Sequence, residues 1–211
     1  MIESSAAAEP LTGRRPLGSG LHLGVAGTDA PERAELESFV GAAFRRGHDA
    51  TVTSFMPTLL SFRDRGGALR GVVGLRAAVP QPLYLEQYLE QPIETAIATA
   101  TGDAVRREQV VEVGNLAGAN CRAAVRMVAQ LPAFLLARDY RWIVFTATST
   151  VRGILQGFGA PLVELARADV TRVASSPDRW GRYYEKDPRV FAGFLPVTRR
   201  IPGFSHAVHE R

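Results

Sequence analysis

The chain has 211 residues, 46% hydrophobic and 22% charged, with a net charge of +4. That composition suits one globular domain with a real core and excludes wholesale disorder. No apolar run reaches the roughly 18–20 residues that span a bilayer, and Met1–Pro10, with Glu3, lacks the apolar block of a secretory signal.

Residues 1–20 are rich in Ala, Ser, Gly and Pro and read as a flexible leader. Leu21–Ala26 alternates like a first strand. Pro31 suits the first turn of a helix capped by Thr28 or Asp29. Leu36, Phe39, Val40, Ala43 and Phe44 then recur at helical spacing as far as Arg46, and Gly47 is the expected stop. Phe55–Phe62 and Leu69–Ala78 flank the turn Asp64-Arg65-Gly66-Gly67 as a hairpin, with Pro57 pointing to an edge or bulge near its start. Tyr84–Thr101 divides at Pro92 into a short and a longer helix, ended by Gly102. Gln109–Gly114 reads as a strand, and Asn115–Asn120 as the turn that leaves it. A helix is expected over Arg122–Arg138, kinked at Pro132. Trp142–Thr148 is a strand of the buried type, Val151–Gly157 a short helix, Phe158–Pro161 a link, and Leu162–Ala168 a final strand or strand pair. The remaining C-terminal stretch, with Trp180, Tyr183 and Tyr184, reads as irregular but aromatic enough to pack. One domain is expected over residues 21–200 with a tail at 201–211, and no internal repeat is present.

This order of elements predicts an α/β fold: a mixed, mostly antiparallel sheet flanked by helices on both faces. It resembles the acyl-CoA N-acyltransferase (N-acetyltransferase-like) plan. In that plan the fourth strand splays from the fifth and acyl-pantetheine threads the gap. Glu112 would then lie in the fourth strand and Phe145 in the fifth.

Six segments in order strengthen a resemblance. They are Phe55-Met56-Pro57 with Leu59-Leu60, Gly74-Leu75-Arg76-Ala77-Ala78, and Leu83–Leu89 with Pro92-Ile93-Glu94. Val111–Ala117, Phe145–Thr148 and Trp180-Gly181-Arg182-Tyr183-Tyr184 complete the set. Together, over about residues 40–195, they resemble the thermostable hemolysin family. The layout is also distantly similar to acyl-homoserine-lactone synthases, through an acidic segment at Leu83–Glu94 and a Glu-bearing fourth strand. The resemblance implies acyl transfer as a reaction class and says little about the acceptor. The first reading is transfer from acyl-CoA or an acyl-carrier protein to a small amine-bearing acceptor, and the histidine spacing implies no metal.

Glu112 stands among valines and either faces solvent or lines a cleft; buried, its pKa would rise and it could act as a general base. Asn115 either orients a carbonyl at an oxyanion site or stabilises a turn. Acetyltransferases of this plan grip pyrophosphate with a Gly-rich loop at a helix N-terminus. Here Val113 leads into that stretch, Gly118 fits its central position, and Asn115 and Asn120 depart from its usual flanks. That departure leaves room for a carrier-protein donor or for a grip through Arg122 and Arg126, while Asn120 could simply cap the helix. Thr146 and Thr148 should share one side of the fifth strand, where they either bond the pantetheine arm or follow β-propensity. Glu86, Glu90 and Glu94 recur every four residues, either as a solvated face or as a negative wall for a cationic acceptor. Arg76 could pair with one of these carboxylates or with a ligand anion. Tyr183 and Tyr184 could offer a phenol as general acid or close the core.

The lone Cys121 allows no internal disulfide and fits a reducing compartment, so a cytoplasmic location is expected. It lies at a helix start, where a thiolate would be favoured, but no His adjoins it. All but one of the 25 basic residues are arginines, scattered rather than gathered into a basic stripe, so no nucleic-acid partner is expected. Among the four histidines only His206 and His209 have ligand-like spacing. Two other functions compete: a membrane-active haemolysin, suggested by the family name alone, and a non-catalytic acyl or carrier-protein binding module.

Overall fold

A computed structural model of the chain describes residues 15–17, 20–157, 161–173 and 177–195. Most of the expected leader, Phe158–Ala160 of the link, the 201–211 tail and the His206/His209 pair lie outside the described residues. Eight strands form one sheet in the order β1-β2-β3-β4-β5-β6-β8-β7. They are β1 (Arg15–Leu17), β2 (Leu21–Ala26), β3 (Thr58–Arg63), β4 (Leu69–Ala77), β5 (Val110–Gly118), β6 (Trp142–Ala147), β7 (Leu162–Arg167) and β8 (Arg189–Phe194). Every pairing is antiparallel except β5 with β6. The expected mixed, mostly antiparallel α/β fold is the one observed.

The helices follow from the placement of their apolar residues. In α1 (Arg33–His48), Leu36 and Val40 are buried against Leu59 and Val72, and the helix ends where Asp49 turns left-handed at φ 57°. Its cap position is Glu32, which makes no side-chain cap bond, rather than Thr28 or Asp29. Residues Ile93 and Ile97 bury α2 (Ile93–Thr101), and Gly102, at φ 80°, stops it. Ala123, Met127, Leu131 and Leu135 recur every fourth position along α3 (Cys121–Leu136), so one stripe meets the sheet. The helix runs through Pro132, and α4 (Ser149–Gly157) follows β6. Helix α3 lies with Leu60, Phe62, Val73, Leu75 and Val111 on one face of the sheet. On the other face α1 packs beside a second cluster built from Leu83, Leu85, Ile93, Ile97, Val110 and Val144. Each such side chain removed from water contributes about 1.5–3 kcal/mol.

Several expectations are corrected. The sheet begins inside the expected leader, because Arg15–Leu17 pairs with Leu21–Leu23. Strand β3 starts at Thr58, so Pro57 precedes it and marks no edge; β3 is interior, between β2 and β4. Strand β5 continues to Gly118, which reduces the expected Asn115–Asn120 turn to Ala119-Asn120. The short helix before Pro92 is a 3-10 helix, Tyr84–Tyr88. Leu162–Arg167 is not the last strand: Arg189–Phe194, expected to be irregular, inserts between β6 and β7. No helix among the described residues is long and apolar enough to cross a membrane.

Candidate active site

Strands β5 and β6 pair only over Val110–Glu112 and Trp142–Val144. Beyond that point β5 stays with β4 as far as Gly118, while β6 stays with β8 as far as Ala147. The two strands therefore part, and a wedge opens immediately after Glu112. The bulge in β5 helps to open it. Gly114 pairs with Gly74 and Ala117 with Val72, so β5 carries one more residue than β4 over this stretch. Asn115, at φ 47°, absorbs the extra residue.

Glu112 is 3% exposed. Its two oxygens accept the backbone N–H groups of Tyr84 at 2.7 Å and Leu85 at 3.1 Å. Burial pushes its carboxyl up to about 7, against those two donors and the positive charge of Arg76. A carboxyl that titrates near neutrality at the mouth of a strand gap can exchange a proton with an amine. Arg76 is its direct cross-strand neighbour and stands on the same sheet face.

The 3-10 helix that reaches Glu112 is itself tied down. Glu86 accepts the N–H groups of Leu83 and Ile93 at 2.7 and 2.9 Å. Arg107 reaches Glu86 through Nη1 and Nη2, each at 2.7 Å, and Glu94 through Nη1 at 2.6 Å. Burial alone would raise the Glu86 carboxyl; Arg107 and the two N–H groups outweigh it and hold it below the usual range. Glu86 and Glu94 thus meet on one arginine, whereas Glu90 is exposed and paired with Arg172. The even spacing of four does not produce one acidic face, because Pro92 separates a 3-10 helix from an α-helix. Arg107 carried no signal in the sequence, since its partners lie across a turn and a strand connection.

Asn115 accepts the N–H of Met56 on Oδ1 at 2.8 Å, and Arg33 donates to the carbonyls of Met56 and Pro57 at 2.7 and 3.1 Å. Met56 is clamped from both sides and lies over the paired glycines Gly74 and Gly114. A Cβ on Gly114 would come within 2.5 Å of Met56 Cε, and one on Gly74 within 2.7 Å of its Cγ. Phe55-Met56-Pro57 was legible as a family segment, but not as the cover of the β5 bulge.

At the far end of β5, Gly118 lets the strand meet α3 closely; a Cβ there would sit 3.0 Å from Ala124 Cβ. Asn120 caps α3 by accepting the N–H of Ala123 at 2.9 Å, one of the two roles its position allows. Arg122 and Arg126 are exposed on the first turns of this helix, and Cys121 is exposed at its first position. Val113 and Leu116 point to the α3 face. Thr146 lies in β6, half-buried, whereas Thr148 falls beyond the strand, is 3% exposed and accepts the Arg152 N–H through its carbonyl. Tyr184 closes the core next to the 3-10 helix: its hydroxyl and that of Tyr88 lie 2.6 Å apart, and Trp180 and Tyr183 pack on its ring. Burial lifts the Tyr184 phenol up to about 12, so it stays protonated at neutral pH. Among the described residues no three His, Cys, Asp or Glu side chains are grouped to hold a metal ion.

Solved structures of similar shape exist at low sequence identity. The acyl-homoserine-lactone synthase LasI is 11% identical with a TM-score of 0.56, over 85% of this chain and 92% of that one. FeeM, an N-acyl amino acid synthase from uncultured soil microbes, is 13% identical with a TM-score of 0.54, covering 83% and 91%. The CoA-dependent acyl-homoserine-lactone synthase MesI is 15% identical with a TM-score of 0.51, covering 83% and 89%. With the parted strands, these likenesses define an acyl-CoA N-acyltransferase-like fold. No curated protein matches the chain in sequence. The chain belongs to the thermostable hemolysin family, whose sequence profile matches residues 26–198.

Proposed function

We propose that this protein is an acyltransferase that moves an acyl group from acyl-CoA or an acyl-carrier protein to a small amine-bearing acceptor. The observation that carries this reading is the parting of β5 from β6 directly beside a buried carboxylate. A thioester arm would enter the wedge between Val113 and Thr146, with its phosphates toward Gly118, Asn120 and Arg122 at the start of α3, where helix N–H groups favour anions. Glu112 would take a proton from the acceptor amine. The amide nitrogen of Asn115, whose oxygen already bonds Met56, would donate to the thioester oxygen. Thr148 would meet the arm only through a change at the β6 terminus, so Thr146 is the better placed of the two. Glu86 and Glu94 would act on the acceptor indirectly, by fixing the 3-10 helix, and Tyr184 would wall the pocket. A reaction drawing on such thioesters fits the cytoplasm, as does the single thiol.

Thermal denaturation in the presence of CoA, short acyl-CoAs and long acyl-CoAs tests this. A ligand at a hundred times its Kd adds about 2.7 kcal/mol. Stabilisation that grows with acyl length identifies the donor, and release of free thiol with an amine present then reports transfer. Glu112→Gln should lower that transfer about 10²–10⁴-fold. Undiminished transfer by Glu112→Gln removes Glu112 as the base. Stabilisation without transfer by the wild type favours the non-catalytic binding module.

A further inference from the structure

Arg76 has donors that no described residue satisfies. Its Nε is buried without a hydrogen-bond partner, and Nη1 makes one long contact, to the Pro82 carbonyl at 3.5 Å. A buried donor left unpaired on a charged group is costly, and each one in a native protein calls for an explanation. Among the described residues no carboxylate supplies one. Glu112 directs its oxygens to Tyr84 and Leu85, and Glu86 directs its own to Arg107, Leu83 and Ile93. The guanidinium therefore stands beside Glu112, on the same face, with Nε unpaired, and the anionic group of a ligand would satisfy it.

The phosphates of an acyl donor are badly placed for this. They would lie at the α3 start, next to Gly118, six residues along β5 from Glu112 and so roughly 20 Å away. Arg76 is level with Glu112 itself. The anion must therefore belong to the acceptor, and to the part of the acceptor that carries the reacting amine. Directly paired strand residues have Cα atoms about 4.5–5.5 Å apart, close enough for one small acceptor to meet both side chains.

Resting on the acyl-transfer reading, we propose that the acceptor is a free α-amino acid, its carboxylate held by Arg76 and its amine presented to Glu112. The ammonium gives one proton to Glu112. The freed amine attacks the thioester carbonyl, the N–C bond forms, the C–S bond breaks, and the second amine proton leaves with the thiolate as thiol. The products are an N-acyl amino acid carboxylate, the free thiol and one proton passed from Glu112 to water.

The full chain is assayed first with the twenty free L-amino acids. The best of them is then compared with its own amide and its decarboxylated amine. The wild type should lose at least tenfold in kcat/KM on both carboxylate-free analogues. Arg76→Gln should lose at least tenfold more on the amino acid than on the amide, and Arg76→Lys should recover part of that difference. Without donor, the amino acid but not its amide should raise the melting temperature. Equal use of acid, amide and amine by the wild type overturns the proposal, as does an equal loss on all three in Arg76→Gln. If Arg76→Gln fails to fold, the three-acceptor comparison in the wild type and Arg76→Lys decide. Transfer to plain amines alone would leave acyl transfer standing and this inference fallen. Arg76-dependent amino acid binding with no thioester consumed would do the reverse.

Discussion

At Glu112, burial beside Val144 favours the protonated carboxyl, whereas the Tyr84 and Leu85 N–H groups and Arg76 favour the anion; burial prevails. The unfolded chain releases this proton in the ordinary glutamate range and the folded chain only near pH 7. Between those points the folded state binds more protons, so this residue makes stability fall as pH rises from about 4.5 to about 7. Melting curves of the wild type and Glu112→Gln over that range should converge or cross in this sense; a constant difference between them would show Glu112 ionised throughout. If Glu112 is the base, the same titration should make wild-type kcat/KM rise through about pH 7, since a base works deprotonated. Gly181 offers a separate test. It sits at φ 49°, and a Cβ there would collide with the backbone carbonyls of His48 and Asp49. Gly181→Ala should destabilise by about 2 kcal/mol or more, read as a lowered melting temperature. Glu112 and the Asn120 cap were legible in the sequence because a lone carboxylate among valines and an Asn before an apolar helix stand out locally. The unpaired Nε of Arg76 and the cover provided by Met56 were not, since both depend on what distant segments leave empty.

The segment from Leu83 to Glu94 behaves as one unit because Glu86, Arg107 and Glu94 join its ends. Removing the arginine strands two half-buried carboxylates. Arg107→Leu should cost about 2 kcal/mol, below the full penalty of a broken buried pair because all three groups keep some water. Chemical denaturation measures it, and an unchanged midpoint would show the network to be ornamental. Transfer should suffer as well, since the unit carries both N–H groups that hold Glu112. Element types were readable where periodicity was strong: α1, α3, β4 and the two helices parted at Pro92. Strand β8 was not readable. Val190, Phe191, Ala192 and Gly193 are all buried inside the sheet, so the alternation that marks a half-exposed strand is missing. Strand β5 is longer than its sequence suggests because Gly114, Asn115 and Gly118 look like turn residues. In the fold they form a bulge and a close approach to α3.

Across the whole molecule, two antiparallel blocks are joined at three residue pairs, and that narrow seam is where the sheet should be most responsive. Hydrogen exchange should be faster in Val113–Asn115 and Phe145 than in β4, and a bound long-chain acyl-CoA should slow it in those segments alone. Uniform protection over the sheet would place the ligand elsewhere. The strand order has a further consequence for how the molecule is made. Strand β6 forms one wall of the wedge, yet its outer neighbour is β8, the later of the two strands beyond it in the chain. During synthesis at roughly 5–20 residues per second, the outer edge of Trp142–Ala147 waits seconds for its partner. Until then an apolar strand offers open hydrogen-bonding groups to any other nascent chain, so the wall that shapes the site is also the point at which an unfinished copy is most exposed to aggregation.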